Sequence, residues 1–227
     1  MVDPGYDYWL LDLDGTLVDT EWSYTREVFD RVEAELGVSF SDRQAEVLWH
    51  GLGGDRDDLL REWGYDPQAF WEVFDALDDP VERAEATYLY DDAAFVADLD
   101  EPVGLVTHCP APATDAVLDR LDVRDWFDVV VACDDETGYK PSPRPLDLAR
   151  GDLGVAPTAH GVYAGDGASD IGAAANAGLE SIHVERHDPH RRGVCVLGDH
   201  RIESFADLAL SSSTSGRATG DRERRET

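Results

Sequence analysis

Two aspartates stand two residues apart in Asp12-Leu13-Asp14-Gly15-Thr16-Leu17, at the end of the apolar run 8–13. If that run is a strand, alternation puts both carboxylates on one side. Close carboxylates repel each other unless a cation lies between them or one is protonated. The natural guest is a hard cation that prefers oxygen ligands, such as magnesium. A calcium loop of this kind needs glycine at its sixth position and glutamate at its twelfth, where this chain has Leu17 and Ser23. The bland alternative is a pair of helix-capping carboxylates.

Three later segments carry comparable chemistry. Thr107-His108-Cys109 places a hydroxyl at a strand end, where it can donate to a phosphate oxygen or bond its own backbone. His-Cys also opens the loop of cysteine phosphatases. That loop needs an arginine where this chain has Asp115, and Pro110 and Pro112 remove backbone donors, so a cysteine nucleophile is rejected. Lys140, in Gly138-Tyr139-Lys140-Pro141-Ser142-Pro143, is the only lysine of the chain. A compact ammonium fits between a carboxylate and a phosphoryl oxygen where a planar guanidinium fits poorly. In Gly165-Asp166-Gly167-Ala168-Ser169-Asp170, Asp166 and Asp170 sit four apart and face one cation or cap a helix. A dinucleotide site is rejected there, because Asp170 replaces the third glycine and two carboxylates would repel a pyrophosphate.

These segments need a frame. Short apolar runs at 8–13, 103–107, 129–132, 162–165 and 181–184 read as buried strands. Helical patterns at 113–121, 145–153 and 169–177 lie between the later ones, with Gly154 and Gly178 at two helix ends. The alternation predicts an α/β, Rossmann-like parallel sheet with helices on both faces. Ligands of such sheets bind beyond the carboxyl ends of the strands, where all four segments fall. From about Asp19 to Asp92 no strand pattern is present. Helical patterns at 21–36, 42–49, 55–63, 67–77 and 81–89 predict an inserted α-helical domain over 19–91. The core is then 1–18 with 92–210. The stretch 211–227 is Ser, Thr, Gly and charge, and is expected to be disordered.

The 227 residues carry 49 acidic and 19 basic side chains, a net charge of -30. That excludes nucleic acid and anionic membrane as partners. A surface rich in aspartate and nearly free of lysine resembles that of proteins from halophiles, whose self-repulsion is screened because the Debye length is about 3 Å near 1 M salt. No apolar run reaches the roughly 20 residues of a membrane span, and residues 1–8 lack the pattern of a signal peptide, so a cytoplasmic protein is expected. Cys109, Cys133 and Cys195 suggest neither a disulfide framework nor a zinc site.

Taken in order, the four segments resemble the haloacid dehalogenase superfamily, the aspartate-nucleophile phosphatases. The match runs from Asp12 to Asp170 and rests on Asp-x-Asp-Gly-Thr, a threonine, a lysine and Gly-Asp-x-x-x-Asp. Within it, the chain is similar to phosphoglycolate phosphatases with a helical cap. The resemblance implies that Asp12 is nucleophile and magnesium ligand. Asp14 would protonate the leaving group, then activate water, and offer its backbone carbonyl to the metal. Thr107 and Lys140 would hold phosphoryl oxygens. Asp166 and Asp170 would complete the Mg2+ site. Thr16 and His108 would line the substrate site, although His108 departs from the small polar residue or asparagine of many members. From the cap, His50 in His50-Gly51-Leu52-Gly53-Gly54 and nearby Arg56 would reach the substrate, or the glycines simply join two helices. Asp14 argues against dehalogenase chemistry, and the insert has no lysine for the Schiff base of a phosphonate hydrolase. The expected substrate is a small phosphorylated metabolite, phosphoglycolate or a sugar phosphate. A sugar-phosphate mutase and a catalytically silent binding protein remain as alternatives. Oligomeric state is not legible.

Overall fold

The computed structural model describes residues 5–208, so the expectation for 211–227 lies outside the described residues. The chain begins with β1 (Tyr8–Leu11) and β2 (Val18–Thr20). Five helices follow: α1 (Trp22–Leu36), α2 (Asp42–Trp49), α3 (Arg56–Glu62), α4 (Pro67–Leu77) and α5 (Pro80–Ala86). Next come β3 (Thr87–Leu89), β4 (Val103–Thr107), α6 (Ala111–Leu121) and β5 (Val129–Ala132). The last part holds α7 (Arg144–Asp152), β6 (Gly161–Gly165), α8 (Ala168–Ala177), β7 (Glu180–Val184), α9 (Pro189–Arg192) and β8 (His200–Ile202).

Six strands form one sheet in the order β5-β4-β1-β6-β7-β8. Every neighbouring pair is parallel, so all carboxyl ends open on one edge. Strand alternation sorts the apolar runs onto two faces. Trp9 and Leu11 join Val103, Leu105, Val162 and Ile182 in one core. Tyr8 and Leu10 join Val106, Val131 and Tyr163 in the other. Both faces are buried, which is why the strands read as continuous apolar runs. This is the expected α/β architecture.

The inserted helices have a third core of their own, built on Val28, Phe29, Phe40, Leu48, Leu60 and Phe70. Local signals set their limits. Gly37 ends α1 in the left-handed conformation, at φ 67°. Ser41 and Gln44 form a capping box at α2. Asp66 and Asp79 cap α4 and α5, each with proline in the first turn. The segment 19–92 is not free of strand, however. β2 and β3 pair antiparallel, Val18 with Leu89 and Thr20 with Thr87, so the helix expected over 81–89 ends three residues early. Three-residue strands are too short to show alternation, and these two form where the ends of the insert meet, with Val18 and Leu89 against the core. Edge strand β8 carries no sequence signal for a similar reason, being short and mostly polar. Helix α5 packs on α6, with Ala84 in the same core as Trp9 and Leu11. No helix among the described residues is long and apolar enough to cross a membrane.

Candidate active site

Asp12 follows the central strand and is 6% exposed. Its N–H donates to the Ala164 carbonyl at 2.9 Å, which ties it to β6. The chain then turns sharply, with Leu17 N–H donating to the Leu13 carbonyl at 2.9 Å. Gly15 sits in that turn at φ 73°, and a Cβ there would lie 2.6 Å from Asp166 Oδ2. Both the left-handed backbone and the close carboxylate require glycine.

Lys140 comes from the loop after β5 and is 5% exposed. Its Nζ lies 2.8 Å from Asp12 Oδ1 and 2.7 Å from Asp170 Oδ1. It also donates to the Tyr163 hydroxyl at 2.9 Å and the Val106 carbonyl at 3.3 Å. Burial works against the ammonium, but Asp12 and then Asp170 override it and hold Lys140 above its ordinary value. Burial, then the charge of Asp170, push Asp12 up to about 7 against the pull of Lys140. Burial, then the charges of Asp170 and Asp12, push Asp166 well above its ordinary value against the pull of Lys140. One carboxylate oxygen from each of Asp12, Asp166 and Asp170 lies within 4.8 Å of the other two. One ammonium does not neutralise three buried carboxylates. This set of hard oxygen donors with unbalanced negative charge fits a magnesium ion. Asp170 is also tied elsewhere, since its Oδ2 accepts the Gly167 N–H at 2.9 Å and its Oδ1 lies 3.1 Å from the Tyr163 hydroxyl.

Asp14 is more open, with its side chain 31% exposed and paired to Arg83 of α5. Thr107 is buried and its Oγ1 accepts the Cys109 N–H at 3.0 Å. Its backbone bond therefore uses an acceptor site and leaves the hydroxyl proton free to donate. Thr16 is fully buried, its carbonyl accepting from Arg186 at 2.9 Å and its hydroxyl without a partner among the described residues. Burial pushes the Cys109 thiol up to about 12, which agrees with rejecting a thiolate nucleophile.

His108 Nε2 accepts the Lys140 N–H at 2.9 Å, so in the neutral ring the proton sits on Nδ1. Burial, then the charges of Lys140 and Arg56, push His108 down to about 2. The unfolded chain binds this proton below about pH 6.5 and the folded chain does not. The associated stability is thus complete above pH 6.5 and lost as pH falls. Urea melts should show wild type losing up to roughly 2 kcal/mol more than His108→Asn between pH 7 and 5. Equal losses would contradict the assignment.

The insert brings Arg56, whose charge acts on His108, and His50 toward this group. The Arg56 guanidinium lies 4.9 Å over the Trp71 ring and donates to the Leu48 carbonyl at 3.3 Å. Among the described residues it has no carboxylate within ion-pair distance. His50 stacks with His187, ring centroids 4.5 Å apart, and His187 Nε2 lies 4.0 Å from Asp166 Oδ2. Burial lowers both rings, His187 to about 4. The structure thus brings together Asp12, Lys140, Asp166 and Asp170 directly, Asp14, Thr107 and His108 around them, and His50 and Arg56 from the insert. Sequence reasoning missed Tyr163, hidden inside an apolar strand, and Arg83, one of many helical arginines. No local signal marks either.

The haloacid dehalogenase-like hydrolase family matches residues 6–178. A phosphoglycolate phosphatase of Shigella dysenteriae is 30% identical over 199 residues, covering 75% of this chain and 78% of that protein. A chain from Lactobacillus plantarum overlays with a TM-score of 0.73 at 24% identity, over 89% of this chain and 97% of that one. A mutant of CbbY from Rhodobacter sphaeroides, in complex with xylulose-(1,5)bisphosphate, overlays with a TM-score of 0.64 at 26% identity, over 90% and 96% of the two chains. The chain belongs to the haloacid dehalogenase-like hydrolases. The expectation of an enzyme akin to phosphoric monoester hydrolases is met at the level of this family and its phosphatase relatives.

Proposed function

We propose that this protein hydrolyses a small phosphorylated metabolite through an aspartyl-phosphate intermediate, with phosphoglycolate as the leading candidate. The observation that carries the reading is Asp12, buried at the end of the central strand and held by Lys140 beside two further carboxylates. An Asp12 oxygen forms a bond to phosphorus as the bond to the leaving oxygen breaks, and Asp14 gives that oxygen its proton. Asp14 then takes a proton from water, which attacks the phosphoryl group and returns Asp12 and inorganic phosphate. Thr107 and Lys140 hold phosphoryl oxygens. Asp12, Asp166 and Asp170, with the Asp14 backbone carbonyl, would hold a magnesium ion that supplies neutralising charge when bound.

Residues 19–91 act as a cap over the core of 1–18 and 92–210. Thr16 and His108 line the phosphate side, while His50 and Arg56 contact the far end of the substrate. Alanine at both cap positions should alter the substrate ranking, and unchanged kinetics with every substrate would remove them from the site. Both phosphoglycolate and the bisphosphate bound to CbbY carry a second anionic group, which suits Arg56, a guanidinium with no carboxylate partner among the described residues. The free thiols suit a reducing compartment such as the cytoplasm.

The test is phosphate release from a panel of phosphorylated metabolites at about 2 M KCl, with and without magnesium. Release should need magnesium, and chelation should lower Tm as the three carboxylates lose their counterion. No release by the folded protein would favour a mutase or a silent binder. At a net charge of -30, activity should fall steeply in dilute buffer, where an anionic substrate is repelled. Full activity there would refute the halophile reading.

A further inference from the structure

Arg83 lies at the junction of insert and core, its side chain 9% exposed. Nη2 pairs with Asp14 Oδ1 at 3.1 Å, and Nη1 with Asp78 Oδ2 at 2.6 Å. The guanidinium carbon stands 4.8 Å over the Trp49 ring. Asp78 is itself anchored by the Tyr24 hydroxyl at 2.8 Å. The guanidinium is therefore clamped on the insert side by Trp49 at the end of α2 and by Asp78, just past the end of α4. Its Nε is buried with no partner among the described residues. On the other side its partner is the half-open Asp14. Of the two, Asp14 is the one free to turn. Arg56, a second guanidinium of the insert and one on which the charges of Asp14 and Arg83 act, has no carboxylate partner among the described residues.

We propose that the Arg83–Asp14 ion pair is a latch opened by a second anionic group on the substrate. This rests on the reading of Asp12 and Asp14 given above. In the resting enzyme Arg83 holds the Asp14 carboxyl toward the insert. A substrate that carries a carboxylate or second phosphate at its far end places that anion against Arg83 and Arg56. It replaces Asp14 as the partner of Nη2, and Asp14 swings to the leaving oxygen. A monoester with a neutral tail reaches Asp12 equally well but leaves the latch shut. Arg83 is thus a positioning residue whose effect depends on the substrate's tail. It selects for doubly anionic substrates at the protonation step as well as at binding.

The experiment compares phosphoglycolate with ethyl phosphate in wild type, Arg83→Gln and Arg83→Lys, at fixed magnesium and KCl. In Arg83→Gln the ratio of the two kcat/KM values should fall about 10- to 100-fold, the scale of one charge-assisted hydrogen bond. The kcat for ethyl phosphate should rise, because nothing restrains Asp14. Arg83→Lys should restore part of the ratio. A parallel loss on both substrates would overturn the proposal and make Arg83 a structural clamp alone. A second arm needs no variant, so it survives a folding failure. Added acetate should accelerate ethyl phosphate hydrolysis by wild type by standing in for the missing tail. Absence of activation would also sink the latch. If neither substrate is hydrolysed, the phosphatase reading fails first, and that is visible separately as the absence of any phosphate release.

Discussion

Asp12→Asn is expected to lose about 10^4-fold or more of phosphate release while remaining folded. Asparagine keeps the shape of the side chain and can still accept from Lys140, so the packing at the strand end survives. It cannot form the bond to phosphorus that an aspartate oxygen forms. The structure also predicts the sign of the stability change. Asp12 stands with Asp166 and Asp170 in a group in which one oxygen from each lies within 4.8 Å of the other two. Neutralising one member relieves repulsion. In magnesium-free buffer, Tm of the variant should equal or exceed that of wild type, and magnesium should raise it less. Phosphate release and calorimetry on the same preparations check both halves. A folded variant that kept a tenth of its activity would place the nucleophile elsewhere.

Lys140→Met should cost both stability and activity. Methionine matches the length of the stem but removes the only cation in contact with Asp12 and Asp170 among the described residues. Removing one partner of a buried pair leaves an uncompensated charge, which costs about 3–5 kcal/mol. Urea melts should show a loss of that size, and magnesium should recover part of it. Activity should fall by about 10^3-fold, because both the nucleophile and a phosphoryl oxygen lose their cation. Lys140→Arg tests geometry separately from charge. The ammonium meets Asp12, Asp170, the Tyr163 hydroxyl and the Val106 carbonyl at 2.7 to 3.3 Å, with donors pointing in several directions. A planar fork cannot reproduce that set. The arginine variant should therefore be nearly as inactive as the methionine variant, although it retains the charge.

The candidate site was legible because each of its members follows an apolar strand. Asp12, Thr107, Lys140 and Asp166 stand at or after the ends of β1, β4, β5 and β6, and parallel strands bring such ends to one edge. The helices of the insert were legible from their helical patterns, and the structure shows what limits them: Ser41, Asp66 and Asp79 as caps, Gly37 as terminator. β2, β3 and β8 were not. Each has three residues, and their pairing comes from chain segments that are distant in sequence.

Residue type and order along the chain were enough to name the four loops, the hydrolase family they resemble and the α/β layering. Periodicity and strand-end chemistry are local properties. Folding added the contacts between segments. It set Tyr163 beneath Lys140, turned His108 into an acceptor for the lysine's own backbone, and carried Arg83 from the end of the insert to Asp14. Such contacts join residues 23 to 69 positions apart, and no pattern within one segment encodes a partner in another. Whether a buried arginine meets a carboxylate or a ring depends on how two separately packed cores meet, and that is a property of the assembled chain.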